Sequence, residues 1–260
     1  MNLVRLKTMS IGMSLTAVLL LTVASYSNIL PETISAAWLF DGDADDISGN
    51  GYDGKVEGGA KFVNGKFGQA IDFDGKDDWV TISKKIGEFE NITFAHWVQS
   101  TGREGQWRVF FNNDGWKAGD IHYQLAPTGQ GKVEFSINGN PGGNDQFAVF
   151  SISGKEMNKW IHIATAYSAQ EKKIRFYING ELDAENNWGG NPGVLDVARI
   201  GSWSGGGREW QGLLDEFVIF NIVLPPDDVK TLMNDGLDKV LSVHPDGKIA
   251  TTWGSVKATY

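Results

Sequence analysis

The run Gly212-Leu213-Leu214-Asp215-Glu216-Phe217-Val218-Ile219-Phe220 carries apolar side chains at almost every position. With a period of two, Leu213, Phe217 and Ile219 fall on one face of a strand. Leu214, Val218 and Phe220 fall on the other. A strand that is apolar on both faces lies inside a protein rather than at its rim. Asp215 and Glu216 interrupt it. A carboxylate in such a place is costly unless it is paired, hydrogen-bonded or bound to a metal. The run therefore predicts a central strand with two acids that need partners.

Working outward, the same grammar repeats along the chain. Short apolar or alternating segments occur at residues 36–40, 91–98, 109–111, 121–125, 133–137, 147–150, 160–167, 173–178 and 197–201. Residues 69–73 and 78–82 read as a hairpin-like pair around Asp74-Gly75-Lys76-Asp77. Asn179-Gly180 is a strong two-residue hairpin signal. Long helical periodicity is nearly absent, and 33 glycines punctuate the segments. This pattern predicts an all-β protein, a two-sheet antiparallel jelly-roll sandwich of about a dozen strands. One short helix is expected from Pro225-Pro226-Asp227-Asp228-Val229, where prolines and acids suit a first turn, to Gly236, which suits a C-terminus.

Composition narrows the function classes. The chain has 260 residues, 41% hydrophobic, enough for one large β domain with a full core. Its net charge is −9 and it has no basic stripe, so nucleic acid is not an expected partner. Arg5 and Lys7 precede an apolar run over residues 11–24. That is the form of an export signal, expected over residues 1–27 with its end between 24 and 36. An uncleaved anchor is the rival, but the run is short for a membrane span, and the mature chain has no other. With no cysteine, an exported domain relies on its core and on any bound ion.

The ordered motifs resemble a known family. They are Trp38-Leu39-Phe40-Asp41; Ser48-Gly49-Asn50-Gly51-Tyr52-Asp53-Gly54; Gly65-Lys66-Phe67-Gly68-Gln69-Ala70; Phe73-Asp74-Gly75; residues 94–98; Trp160-Ile161-His162; Phe176-Tyr177-Ile178-Asn179-Gly180; and residues 212–220. This set is similar to the laminin-G-like jelly-roll family of the concanavalin A-like lectin/glucanase superfamily. It covers residues 36–236 and leaves 237–260 as a tail. Within the tail, residues 247–254 resemble a short C-terminal element that follows such domains in some bacterial proteins. The resemblance implies the sandwich and, often, a calcium ion where the first and last strands lie together. Asp41 and Asp215 would then share the cation with a carbonyl or side chain of Asn50, Gly51 or Asp53. The alternative is that Asp215 bonds to backbone N–H groups of a turn.

Two further sets of residues carry possible chemistry. Glu181-Leu182-Asp183-Ala184-Glu185 matches the E-x-D-x-E pattern of laminarinase-like glucanases. Residues two apart on a strand share a face, and two close carboxylates serve as nucleophile and acid/base in retaining hydrolysis. The motif here follows directly on the Asn179-Gly180 turn, the position of a hairpin in non-catalytic relatives. The second set is Trp116, Trp188 and Trp203, which lie in polar or Gly-rich segments where flat rings can stack on sugars. Trp38, Trp79, Trp97, Trp160 and Trp210 read as core. The four histidines show no metal-ligand spacing and read as structural. The chain is expected to be an exported recognition module for a glycan or an extracellular protein, with a structural calcium. A glucanase-like hydrolase and a structural module of a cell-surface assembly are the alternatives.

Overall fold

A computed structural model describes residues 29–127 and 131–242. The signal segment 1–27 and the element at 247–254 lie outside the described residues. The strands are β1 (Ile34–Trp38), β2 (Lys55–Glu57), β3 (Lys61–Asn64), β4 (Gln69–Asp74), β5 (Trp79–Ile82), β6 (Gly87–Phe89), β7 (Asn91–Ser100), β8 (Arg108–Asn113) and β9 (Ile121–Ala126). They continue with β10 (Lys132–Ile137), β11 (Asp145–Ser151), β12 (Ile161–Ser168), β13 (Lys173–Ile178), β14 (Glu181–Asn187), β15 (Gly193–Leu195), β16 (Ala198–Ile200) and β17 (Gln211–Phe220). Two helices follow, α1 (Pro226–Asp235) and α2 (Leu237–Ser242). The first sheet runs β14-β13-β12-β7-β17-β4-β3, with β1 added against β17. The second runs β11-β10-β9-β8-β16-β5-β2. All the pairings within both sheets are antiparallel, so the chain forms a jelly-roll sandwich.

β17 is the central strand that its sequence requires, with one change of phase. It pairs with β7 along its length, with β4 through Leu214 and with β1 from Phe217. At the exchange of partners the register slips, and Glu216 takes a left-handed φ of 53°. One extra residue in a strand reverses which face the following side chains take. Leu214, Phe217 and Ile219 therefore enter the core between the sheets, and Val218 and Phe220 face the other way. Leu213 is half-buried and does not join Phe217 and Ile219. This corrects the uninterrupted period of two.

The outer face of the first sheet is also covered. Small residues Ala37, Ala95, Ala164 and Ala166 leave room there for Val229 and Leu232 of α1 and for Leu237, Val240 and Leu241 of α2. α1 starts at Pro226 and is closed after Asp235 by Gly236, which has a φ of 74°, as its capping residues predict. The domain therefore runs past residue 236. It also begins before residue 36, since Ile29 and Ile34 are buried in the same cluster.

Two local expectations meet different outcomes. Asn179 and Gly180 have φ of 49° and 78° and join β13 to β14, the mirror-image turn that suits strand twist. β4 and β5, by contrast, are not a hairpin. β4 belongs to the first sheet and β5 to the second, so the turn between them crosses the sandwich. Asp74 Oδ1 accepts from the N–H of Lys76, and Asp78 Oδ2 accepts from the N–H of Asp74, which fixes the corner.

Candidate ligand-binding site

Helices close the outer face of the first sheet, while the outer face of the second carries polar side chains. On β9 and β10, Tyr123, Leu125, Val133 and Phe135 point into the core. The alternate residues His122, Gln124, Glu134 and Ser136 take the other face, paired His122 with Ser136 and Gln124 with Glu134. Asp145 of β11 lies opposite Ser136. These polar groups line a cavity of about 310 Å³. Its remaining walls include Trp107, Trp116 and Trp203, each from a connecting segment. A few polar groups below aromatic walls are the usual make-up of a ligand pocket.

The rings and the cation interlock. Trp116 packs on His122 with centroids 4.2 Å apart, and Trp203 meets the same imidazole edge-on at 5.7 Å. The Arg208 guanidinium lies 4.5 Å from the Trp203 ring and 4.9 Å from that of Trp107. Its Nη1 donates to Gln124 Oε1 at 3.1 Å and approaches His122 Nδ1 at 3.4 Å. Arginine only donates, so His122 Nδ1 accepts and Nε2–H donates to the Gly115 carbonyl at 3.2 Å. Burial pushes the His122 pKa down to about 4, which keeps this neutral tautomer.

The floor is a directed network. Gln124 Oε1 also accepts from Asn112 Nδ2 at 3.1 Å, so its amide must donate to Glu134 Oε1, at 3.0 Å. Ser136 Oγ donates to the same oxygen at 2.9 Å. Burial pushes the Glu134 pKa up to about 7. Its Oε2 is buried and has no partner.

The residues that sequence reasoning singled out are dispersed. Trp116 and Trp203 line this pocket. Trp188 does not: it is a core residue, 4% exposed, against Phe135 and Tyr167, and its Nε1–H is spent on the Gly143 carbonyl. Trp79 and Trp160 are half-buried rather than core. The side chains of Glu181, Asp183 and Glu185 do not line the pocket. Glu181 pairs with Lys230 of α1 at 2.9 Å. Glu185 pairs with Lys173 and Arg175 at 2.6 and 2.7 Å, which lowers its pKa. Asp183 Oδ2 accepts from the N–H groups of Val149 and Phe150 on β11, tying the edges of the two sheets together. A slip of register in β14 next to Leu182 breaks the shared face that hydrolysis needs. Trp107, His122, Gln124, Glu134 and Arg208 were not anticipated. The alternation on β9 and β10 was the available signal for three of them.

The five residues expected at a calcium ion divide between two places. Asp41 and Asp215 come together at the Gly65–Gln69 turn. Asp41 Oδ1 accepts from the Gln69 N–H at 2.6 Å. Asp215 Oδ2 accepts from those of Lys66 and Phe67 at 2.7 and 3.0 Å. A Cβ at Gly68 would collide with the Asp41 carboxylate, so the turn is moulded to it. Asp215 Oδ1 is buried with no partner, and burial pushes the group up to about 7, with Asp41 adding repulsion. For Asp215, these bonds to backbone N–H groups of a turn are the alternative that its sequence allowed. Asn50, Gly51 and Asp53 are engaged otherwise. Asn50 donates to the Ile34 and Ser35 carbonyls, the Gly51 carbonyl accepts from Lys84 at 2.7 Å, and Asp53 accepts from the Asp46 N–H.

Comparison with known proteins agrees with this architecture. No curated protein sequence matches the chain. Among solved structures, domain 4 of AbnA, a GH43 extracellular arabinanase from Geobacillus stearothermophilus in complex with arabinotriose, superposes with a TM-score of 0.61 at 19% identity, over 78% of this chain and 98% of that one. The binding domain of Paraclostridial Mosquitocidal Protein 1 gives 0.58 at 18% identity, over 79% of this chain and 53% of that one. The receptor binding domain of a botulinum neurotoxin C/D mosaic serotype gives 0.60 at 15%, over 78% and 51%. This chain thus spans about half the length of the two toxin domains. The sequence model of the concanavalin A-like lectin/glucanases superfamily matches residues 74–230, more than half of the chain. The chain belongs to the concanavalin A-like lectin/glucanases superfamily, as a laminin-G-like jelly-roll domain.

Proposed function

We propose that this protein is an exported, non-catalytic module that binds a glycan in the tryptophan-walled pocket on the outer face of the second sheet. The observation that carries this reading is the convergence of Trp107, Trp116 and Trp203 over the polar floor of Gln124, Glu134 and Ser136. Indole faces pack on the C–H face of a sugar ring, and the floor groups meet its hydroxyls. The arabinotriose complex of the arabinanase domain supports a saccharide on this architecture. Export rests on the basic and apolar pattern of the first 27 residues. Among the described residues, no helix is long and apolar enough to cross a membrane.

The proposal includes a structural calcium held by Asp41 and Asp215, supported by the unpartnered buried oxygen of Asp215. Bound there, the ion would neutralise two carboxylates and stiffen the Gly65–Gln69 turn; the sugar would be held by the pocket's own side chains.

A glycan array probed with the purified protein, in calcium and in EDTA, tests the reading. Binding to a defined sugar class, abolished by Trp203→Ala, is the expected result. Absence of binding to every glycan in both buffers overturns it and favours an extracellular protein partner.

A further inference from the structure

The pocket holds a group whose role sugar binding alone does not define. Glu134 is only 2% exposed, yet it lies in the wall of an open cavity. Its Oε1 is saturated by Gln124 and Ser136, and its Oε2 is left over. Among the described residues, the single cation that lines the cavity, Arg208, is largely committed. Its faces lie against Trp107 and Trp203, and its Nη1 donates into the floor network. Two carboxyl groups, Glu134 and Asp145, stand against that one positive charge. A ligand bearing its own carboxylate would meet both of them, whereas hydroxyl groups would find donors and acceptors in the floor.

We infer that the pocket takes a neutral saccharide and that Glu134 is the residue that sets this charge preference. The inference rests on the pocket being the glycan site. Protonated, Glu134 adds no charge to the floor. Ionised, it turns the floor negative and repels an acidic sugar. The groups that face it are His122 and Gln124 from β9, Asp145 from β11 and Arg208 from the segment before β17, while Lys132 shares its face of β10. His122 titrates near 4, so it stays neutral across the range in which Glu134 changes charge.

The test is calorimetric titration of the full chain with a neutral arabino-oligosaccharide, a neutral gluco-oligosaccharide and oligogalacturonate at pH 5.5 and pH 8.5. Oligogalacturonate stays ionised throughout. Wild type should bind a neutral ligand at both values. At pH 8.5 it should disfavour oligogalacturonate by about tenfold or more, and the gap should narrow at pH 5.5. Glu134→Gln keeps the Oε1 acceptor and removes the charge. In that variant the narrower gap should hold at both pH values, with the melting temperature reporting an intact fold. Preference for oligogalacturonate, or a gap that does not move with pH in wild type, overturns the inference and leaves glycan binding standing. Failure to bind either class overturns both.

Discussion

Trp116 and Trp188 show how little a tryptophan's neighbours in sequence say about its place. Both sit in polar, Gly-rich segments, yet one is 39% exposed beside a pocket and the other is packed on Phe135. The difference gives a paired prediction. Trp116→Ala removes a pocket wall, so glycan affinity should fall about tenfold while the melting temperature stays within a few degrees. Trp188→Ala opens a core cavity and should destabilise the fold by about 3–5 kcal/mol in a denaturant melt. The reverse pattern would mean that the pocket is misassigned. Asp183 is a third case. Its carboxylate bonds two N–H groups of β11, so Asp183→Asn should cost about 1–3 kcal/mol of stability. A hydrolytic activity lost in that variant would instead revive the glucanase reading of Glu181, Asp183 and Glu185.

At the level of elements, α2 belongs to the domain and is not the start of a tail. Leu237, Val240 and Leu241 cover the alanine-rich outer face of the first sheet, and the Leu237 N–H donates to the buried Glu216 carboxylate. Leu237→Ala should therefore destabilise the protein by about 2–5 kcal/mol, measured by urea unfolding. Truncation after Gly236 should cost more, because it also leaves Glu216 without its donor. A truncated chain that melts at the wild-type temperature would restore the boundary at 236. Element positions were largely legible in the sequence, but their partners were less so. The Asp74-Gly75-Lys76-Asp77 turn has hairpin chemistry, yet it joins strands of different sheets. Local turn preferences act over a few residues and do not record which strand waits on each side.

Across the whole molecule, burial makes two adjacent carboxyls bind protons more tightly when folded. Asp215 rises to about 7 and Glu216 to about 8, from ordinary carboxylate values near 4. At these two groups the folded state then holds more protons than the unfolded one between those limits. Buried His96, His122 and His162, held below their ordinary range, oppose this at acid pH, so stability should fall as pH rises from about 6.5 to about 8 in EDTA, and Asp215→Asn with Glu216→Gln should reduce the fall. A cation bound by ionised Asp41 and Asp215 opposes this, so calcium should raise the melting temperature most at pH 8. Identical melts in calcium and EDTA at pH 8, with wild type and with Asp215→Asn, would count against the ion.

The sequence alone determined the class of the fold, the central place of residues 212–220, the Asn179-Gly180 turn and α1. Those features are written in periodicity, in φ preferences and in helix-end chemistry, all of which act between near neighbours. Tertiary structure decided what the acids face and where a ligand fits. The slip at Glu216 reversed the phase of β17, and no composition rule marks where a strand exchanges β4 for β1. It brought Asp41 to the turn that Asp215 holds, and it gave Asn50, Gly51 and Asp53 other partners. It also brought Trp107, Trp116, Trp203 and Arg208 over β9 and β10. A binding site of this kind depends on which face of the sandwich is left open. Here the helices, packing on alanines across the first sheet, cover one outer face, and the polar face of the second carries the pocket.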